Sequence, residues 1–131
     1  MEYTKINPVS WFEIYVDDME RAKKFYEAVL QIQFMPLPTP EGMEVEMYAF
    51  AMTQAVPGAS GALVKMKVEG FGPSNKGTVV YFESEDCAIE EARVADAGGH
   101  VIKSKEGIGE YGFMTIISDT EGNTIGLHSM K

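Results

Sequence analysis

Between Val9 and Val16 the chain alternates, with Phe12, Ile14 and Val16 on one side and Trp11, Glu13 and Tyr15 on the other. That period of two predicts a strand with one buried face. Asp17 and Asp18 follow, and after them Met19, Ala22, Tyr26 and Val29 recur at helical spacing as far as Leu30, the stripe of an amphipathic helix. Either aspartate suits the helix N-cap, where a short carboxylate accepts hydrogen bonds from free first-turn amides and complements the dipole. Phe34-Met35 then leads through the turn PLPTPEG to VEMYAFAM, and a PGASG turn leads to ALVKMKV. These read as three more strands bounded by Pro and Gly, so the first half of the chain is βαβββ.

The same order returns after Val68–Gly77 (VEGFGPSNKG), a Gly- and Pro-bearing stretch that reads as a linker. At an offset of 68 residues Trp11, Glu13, Tyr15 and Asp18 fall opposite Val79, Tyr81, Glu83 and Asp86. The strand TVVYFES leads into a helix over CAIEEARVADAGG, in which Ala88, Ala92 and Ala95 share one face and Gly98-Gly99 supplies a stop. HVIKSK, YGFMTIIS (with Tyr111 and Gly112 opening the strand) and NTIGLHSM complete a second βαβββ. The expectation is an α+β fold forming a single domain over 1–131, with half-repeats at about 8–68 and 77–130 whose element order agrees better than their residue identity.

Composition adds limits. A chain of 131 residues with 45% hydrophobic and 24% charged content can bury a core unaided and shows no sign of disorder. The net charge of -9, with no Lys/Arg cluster, repels phosphate polymers, so no nucleic-acid partner is expected. Cys87 is the single cysteine and has no partner for an internal disulfide. It opens the second helix, where a thiol pKa can fall, but Glu85 and Asp86 oppose that effect and the inert reading is preferred. The start MEYTKINPVS lacks the basic and apolar regions of a signal peptide, and no apolar run approaches the roughly 20 residues needed to cross a bilayer. The expectations are a cytoplasmic location and no membrane partner.

Three segments, WFEIYVDDMERAKKFYEAVL, AGGHV and YGFMTIISDTEGNTIGLH, together resemble the vicinal oxygen chelate superfamily of glyoxalase, bleomycin-resistance and extradiol dioxygenase proteins. The resemblance spans both halves. It implies curled, mostly antiparallel sheets around a cup, a ligand inside the cup and a homodimer. It also implies where a divalent metal would sit in metal-dependent members: on a His early in each half's first strand and a Glu on each half's last strand. The matching positions include Trp11, Val79 and Gly126, and the first half's closing strand has no acid before Glu69. Indole, isopropyl and glycine offer no lone pair to a divalent cation, so no cofactor is expected, and metal-dependent glyoxalase I or dioxygenase chemistry is disfavoured.

Strand parity puts Trp11, Glu13, Tyr15, Tyr81, Glu83 and His128 on the cup face. An aromatic and acidic lining suits a planar or cationic organic ligand, although the same alternation also suits a half-exposed sheet face or a dimer seam. The expected ligand-binding set is these residues with Tyr111 and Met114. Glu13 and His128 are the catalytic candidates, since an imidazole with a pKa of roughly 6.5 can move protons near neutrality; a lone histidine near a C-terminus is also often structural. Glu13, Glu83 and His128 form the one conceivable non-standard divalent site. His100 is expected at a strand edge with no chemistry, the IGEYG loop as a flap, and Met47, Met52, Met66 and Met114 mainly as filler. Three functions follow: a metal-free small-molecule binder, a lyase or isomerase on a small oxygenated substrate, or a structural dimer whose cup is filled.

Overall fold

The computed structural model of the protein describes residues 7–39, 41–42, 44–51 and 57–131. Among the described residues, eight strands and two α-helices follow one another as β1 (Trp11–Tyr15), α1 (Met19–Leu30), β2 (Met35–Pro36), β3 (Val45–Ala49), β4 (Ser60–Met66), β5 (Val80–Glu83), α2 (Cys87–Val94), β6 (His100–Gly107), β7 (Phe113–Ser118) and β8 (Thr124–Ser129). They form two four-stranded sheets with the orders β1-β4-β3-β2 and β5-β8-β7-β6, the same plan twice. In each sheet the first and last strands of the half pair in parallel and the other neighbours pair antiparallel. The fold is α+β with two βαβββ half-repeats, as the pattern predicts.

Local chemistry sets the boundaries. Asp18, not Asp17, caps α1, accepting a hydrogen bond from the Arg21 amide at 3.1 Å. Asp86, 68 residues on, does the same for α2 through the Ala88 amide at 3.0 Å. At the end of the second helical segment Gly98 adopts φ 99 and the Gly99 amide reaches the Val94 carbonyl at 3.0 Å, a left-handed stop that glycine adopts without a Cβ penalty. Pro36 lies on the edge strand β2, where a missing N–H costs nothing to the sheet interior.

Strand β1 has the expected parity: Ile14 and Val16 are 5% and 4% exposed and join the core with Phe12, while Glu13 is exposed. Helix α1 buries Met19, Ala22, Phe25, Tyr26 and Val29. One continuous core takes these together with Cys87, Val94, Ile117, Ile125 and Leu127 of the second half. Aromatic contacts cross between the halves: Phe82 of β5 lies 5.9 Å from Phe12, 5.5 Å from Phe50 and 6.1 Å from Tyr26, centroid to centroid.

One expectation holds and one is corrected. Ala88, Ala92 and Ala95 share a face of the second helical segment, and it is the face turned to solvent; Cys87 and Val94 are buried, with Glu90 and Glu91 half-buried between them. The alanine spacing is equally periodic on either side, and docking on β6, β7 and β8 decides which side is covered. Tyr111 does not open a strand: it ends a 3₁₀ turn, Gly109–Tyr111, and β7 begins at Phe113. His100 stands exposed at the start of edge strand β6. Met47, Met66 and Met114 are half-buried; Met52 lies outside the described residues.

Candidate functional site

A groove of about 1120 Å³ runs along β1 and β5, the outer strands of the two sheets. Trp11, Glu13 and Tyr15 line it from one half and Val79, Tyr81 and Glu83 from the other. Because the groove follows the seam between two sheet edges, Phe12, Ile14 and Phe82 from the core side also contribute to its wall. His128, Tyr111 and Met114 lie outside it. They adjoin on the second sheet, where Met114 pairs with His128 across β7 and β8.

On β1, Glu13 accepts two hydrogen bonds from its own strand: Trp11 Nε1 at 3.2 Å and the Tyr15 hydroxyl at 2.5 Å. Alternation makes this possible, because residues two apart project on the same side. Both donors are neutral, so the carboxylate charge is not offset by them, and among the described residues no cationic side chain forms an ion pair with Glu13. Partial burial, followed by the bond and charge of Glu13, pushes the Tyr15 phenol up to about 12. Phe71, from the linker, lies 5.3 Å from the Tyr15 ring, a contact that sequence reasoning missed because the stretch was read only as a connection.

On the second sheet His128 Nδ1 lies 2.6 Å from Glu83 Oε1, and Nε2 lies 2.6 Å from the Tyr111 carbonyl. Each ring nitrogen faces an acceptor, so the doubly protonated ring satisfies both. The Tyr111 carbonyl first and Glu83 second raise the His128 pKa above its ordinary value, against a smaller opposing effect of burial. With both bonds in place His128 has no free lone pair with which to accept a proton.

The strongest polar cluster was not singled out in the sequence. The DTEGN turn between β7 and β8 reaches back to the junction of β1 and α1. There Glu121 accepts from Arg21 Nε at 2.7 Å and Nη2 at 3.0 Å, and from the Asp17 and Asp18 amides at 2.8 Å each. Burial alone would raise the Glu121 pKa; hydrogen bonds from Arg21, from the Asp18 and Asp17 amides and from Thr120 outweigh it and hold the carboxyl at about 2. Asp119 accepts from the Tyr26 hydroxyl at 2.6 Å. Asn123 donates to the Tyr15 carbonyl and accepts from the Ser74 amide, at 2.9 and 2.8 Å, so it fixes the groove end of β1 and the linker together. The motif was legible as a turn, but its partners about 100 residues away were not.

The positions that the resemblance assigns to a metal do not fit one. Trp11 presents a donor already bound to Glu13. Val79 is exposed and apolar. The strand pairing sets Gly126 opposite Tyr81 and Ala62 opposite Glu13, so the closing-strand positions of the two halves are Gly126 and Ala62. A side chain at Gly126 would collide with the Tyr81 ring, its Cβ lying 2.3 Å from Cδ2. Nor are Glu13, Glu83 and His128 brought together: among the described residues no group of three or more His, Cys, Asp or Glu side chains is placed to hold an ion. Glu13 is engaged on β1 and Glu83 with His128.

Residues 9–43 match the family described as bleomycin resistance protein-like N-terminal. The CFP32 proteins of Mycobacterium bovis and Mycobacterium tuberculosis, provisionally named as glyoxylases, are 29% identical over 126 residues, 96% of this chain and 46% of theirs. The chain thus spans about half the length of the curated relatives it matches. Among solved structures, glyoxalase I from Zea mays superposes with a TM-score of 0.71 at 19% identity, over 94% of this chain and 46% of that one, a likeness of fold. TnmS3, an antibiotic binding protein from Streptomyces sp. CB03234, is 27% identical with a TM-score of 0.63, covering 97% of this chain and 98% of its own. A glyoxalase/bleomycin resistance protein from the same Streptomyces is 25% identical with a TM-score of 0.62, over 92% and 98%. With the doubled βαβββ plan, these matches support a likeness to the vicinal oxygen chelate superfamily, the glyoxalase and bleomycin-resistance group. Among the described residues no helix is long and apolar enough to cross a membrane.

Proposed function

We propose that this protein binds a small aromatic or cationic organic molecule in the groove between the half-sheets, without a metal. The observation that carries the reading is Glu13: a carboxylate set in a large groove, held by an indole and a phenol, with only neutral donors upon it. Such a group attracts a cation, and the adjoining rings offer it π faces. The full-length likeness to an antibiotic binding protein supports the same reading. A thermal-shift screen of a broad small-molecule library is the test. Aromatic or cationic hits are expected, with affinity reduced about tenfold by Glu13→Gln, since losing a charged contact costs on the order of 1–2 kcal/mol. A library without stabilising hits would sink the reading, and a rise in melting temperature on adding Mn, Ni, Zn or Fe would sink its metal-free part. A homodimer in the cytoplasm belongs to the proposal, and light scattering on purified protein checks the dimer.

A second reading, a lyase or isomerase acting on a small oxygenated substrate, is favoured by the Glu83–His128 contact, the arrangement by which a carboxylate orients an imidazole. It requires Nε2 to release the Tyr111 carbonyl. Turnover that survives His128→Ala would exclude His128 as the base, and the absence of turnover on small oxygenated substrates would exclude the reading itself.

A further inference from the structure

The two sheets treat one equivalent position differently. On β1 it carries Glu13, opposite Ala62; on β5 it carries Tyr81, opposite Gly126. A Cβ built on Gly126 would fall 2.3 Å from Tyr81 Cδ2, 2.4 Å from Cε2 and 2.7 Å from Cγ. The phenol ring therefore rests on the glycine backbone, in space that any other residue at 126 would take. Its hydroxyl continues across β8 to the Met114 sulfur on β7, at 3.8 Å. Strand side chains ordinarily stand away from the sheet; this one is laid across it. Even so, Tyr81 remains 49% exposed and lines the groove, so one side of the ring is seated on the sheet while the other is open.

We infer that Tyr81, seated on Gly126, is a stacking platform, and that the ligand of the groove carries a planar aromatic ring that lies on it. The inference rests on the binding reading above and narrows its ligand class to aromatic. A ring already fixed by backbone beneath it and by a contact at its hydroxyl loses little freedom when a second ring stacks on it, and offset stacking adds attraction beyond the area it buries. Over Gly126, where the superfamily resemblance implies a closing-strand metal ligand, this chain presents the flat face of the Tyr81 phenol.

Calorimetric titration of the whole protein with three probes tests this: 2-naphthol, a neutral planar ring; 1-methylquinolinium, a charged planar ring; and tetraethylammonium, a charge without a ring. Both ring probes should bind more tightly than tetraethylammonium. Tyr81→Leu should weaken the ring probes about three- to tenfold, the upper part of the range for an aromatic pair, and Tyr81→Phe should restore most of the loss. Gly126→Ala, which displaces the ring, should weaken them without touching the ligand; should that variant fail to fold, the Tyr81 pair carries the test alone. Ring probes that bind undiminished to Tyr81→Leu would overturn the platform and leave the binding reading standing. Preference for tetraethylammonium would overturn the aromatic class. If none of the three binds at millimolar concentration, the platform falls, while the library screen decides the binding reading separately.

Discussion

Arg21 of the first half and Glu121 of the second form a two-pronged ion pair, 2.7 and 3.0 Å, around a carboxylate with no exposed surface. The same carboxylate takes the Asp17 and Asp18 amides, so one side chain of a turn near the C-terminus closes the start of helix α1. Removing it leaves those donors and the guanidinium without their acceptor. Because Arg21 is half exposed and can rehydrate, the loss is smaller than for a fully buried pair. Glu121→Ala should cost about 2 kcal/mol in urea unfolding at pH 7, against under 0.5 kcal/mol for an exposed control such as Glu20→Ala.

Acid should act through the same residue. The folded Glu121 pKa of about 2 lies below the ordinary 4.5, so its stabilisation is complete above pH 4.5 and is lost as pH falls from there toward 2. A depression of that size corresponds to at most about 3 kcal/mol. Urea midpoints measured from pH 6 to 2 should fall more steeply for the native protein than for Glu121→Gln. Parallel slopes would contradict the assignment.

His128 should show the opposite sign. Its pKa is raised in the folded state, so the bonds to Glu83 and the Tyr111 carbonyl stabilise fully below about 6.5 and weaken as pH rises through the folded value. An NMR titration of the ring should give a midpoint above 6.5. Glu83→Gln should lower that midpoint only in part, because the Tyr111 carbonyl is the larger cause.

Tyr26 and Asp119 tie helix α1 to the β7–β8 turn through a buried bond of 2.6 Å. Tyr26→Phe removes one donor, while Asp119 keeps the Glu121 and Asn123 amides and the Asn123 side chain. The expected loss is about 1–1.5 kcal/mol, read from urea unfolding. A loss above 3 kcal/mol would mean that the turn depends on the phenol for its shape.

The two sides of α2 should respond differently to substitution. Ala92→Lys, on the solvent side, should change stability by less than about 0.5 kcal/mol. Val94→Ala, at a residue with no exposed surface, should cost about 2 kcal/mol through lost burial and the cavity left behind. Similar costs for the two would mean that the helix docks on its alanine face in solution.

What the sequence determined by itself was local and periodic. Alternation at Phe12, Ile14 and Val16 against Trp11, Glu13 and Tyr15, the acidic residues before each helix, and the Gly98-Gly99 stop each follow from interactions within a few residues, so they defined the strands, the approximate helix starts and the doubled plan, while the structure chose Asp18 over Asp17 as the first cap. Tertiary structure decided what depends on docking. Which side of α2 is covered, the reach of Glu121 and Asn123 back to β1, Phe71 lying against Tyr15, and Tyr81 settling on Gly126 all join residues far apart in the chain. No periodicity encodes such pairs, because they form only when one half-repeat closes against the other or when strands come into register.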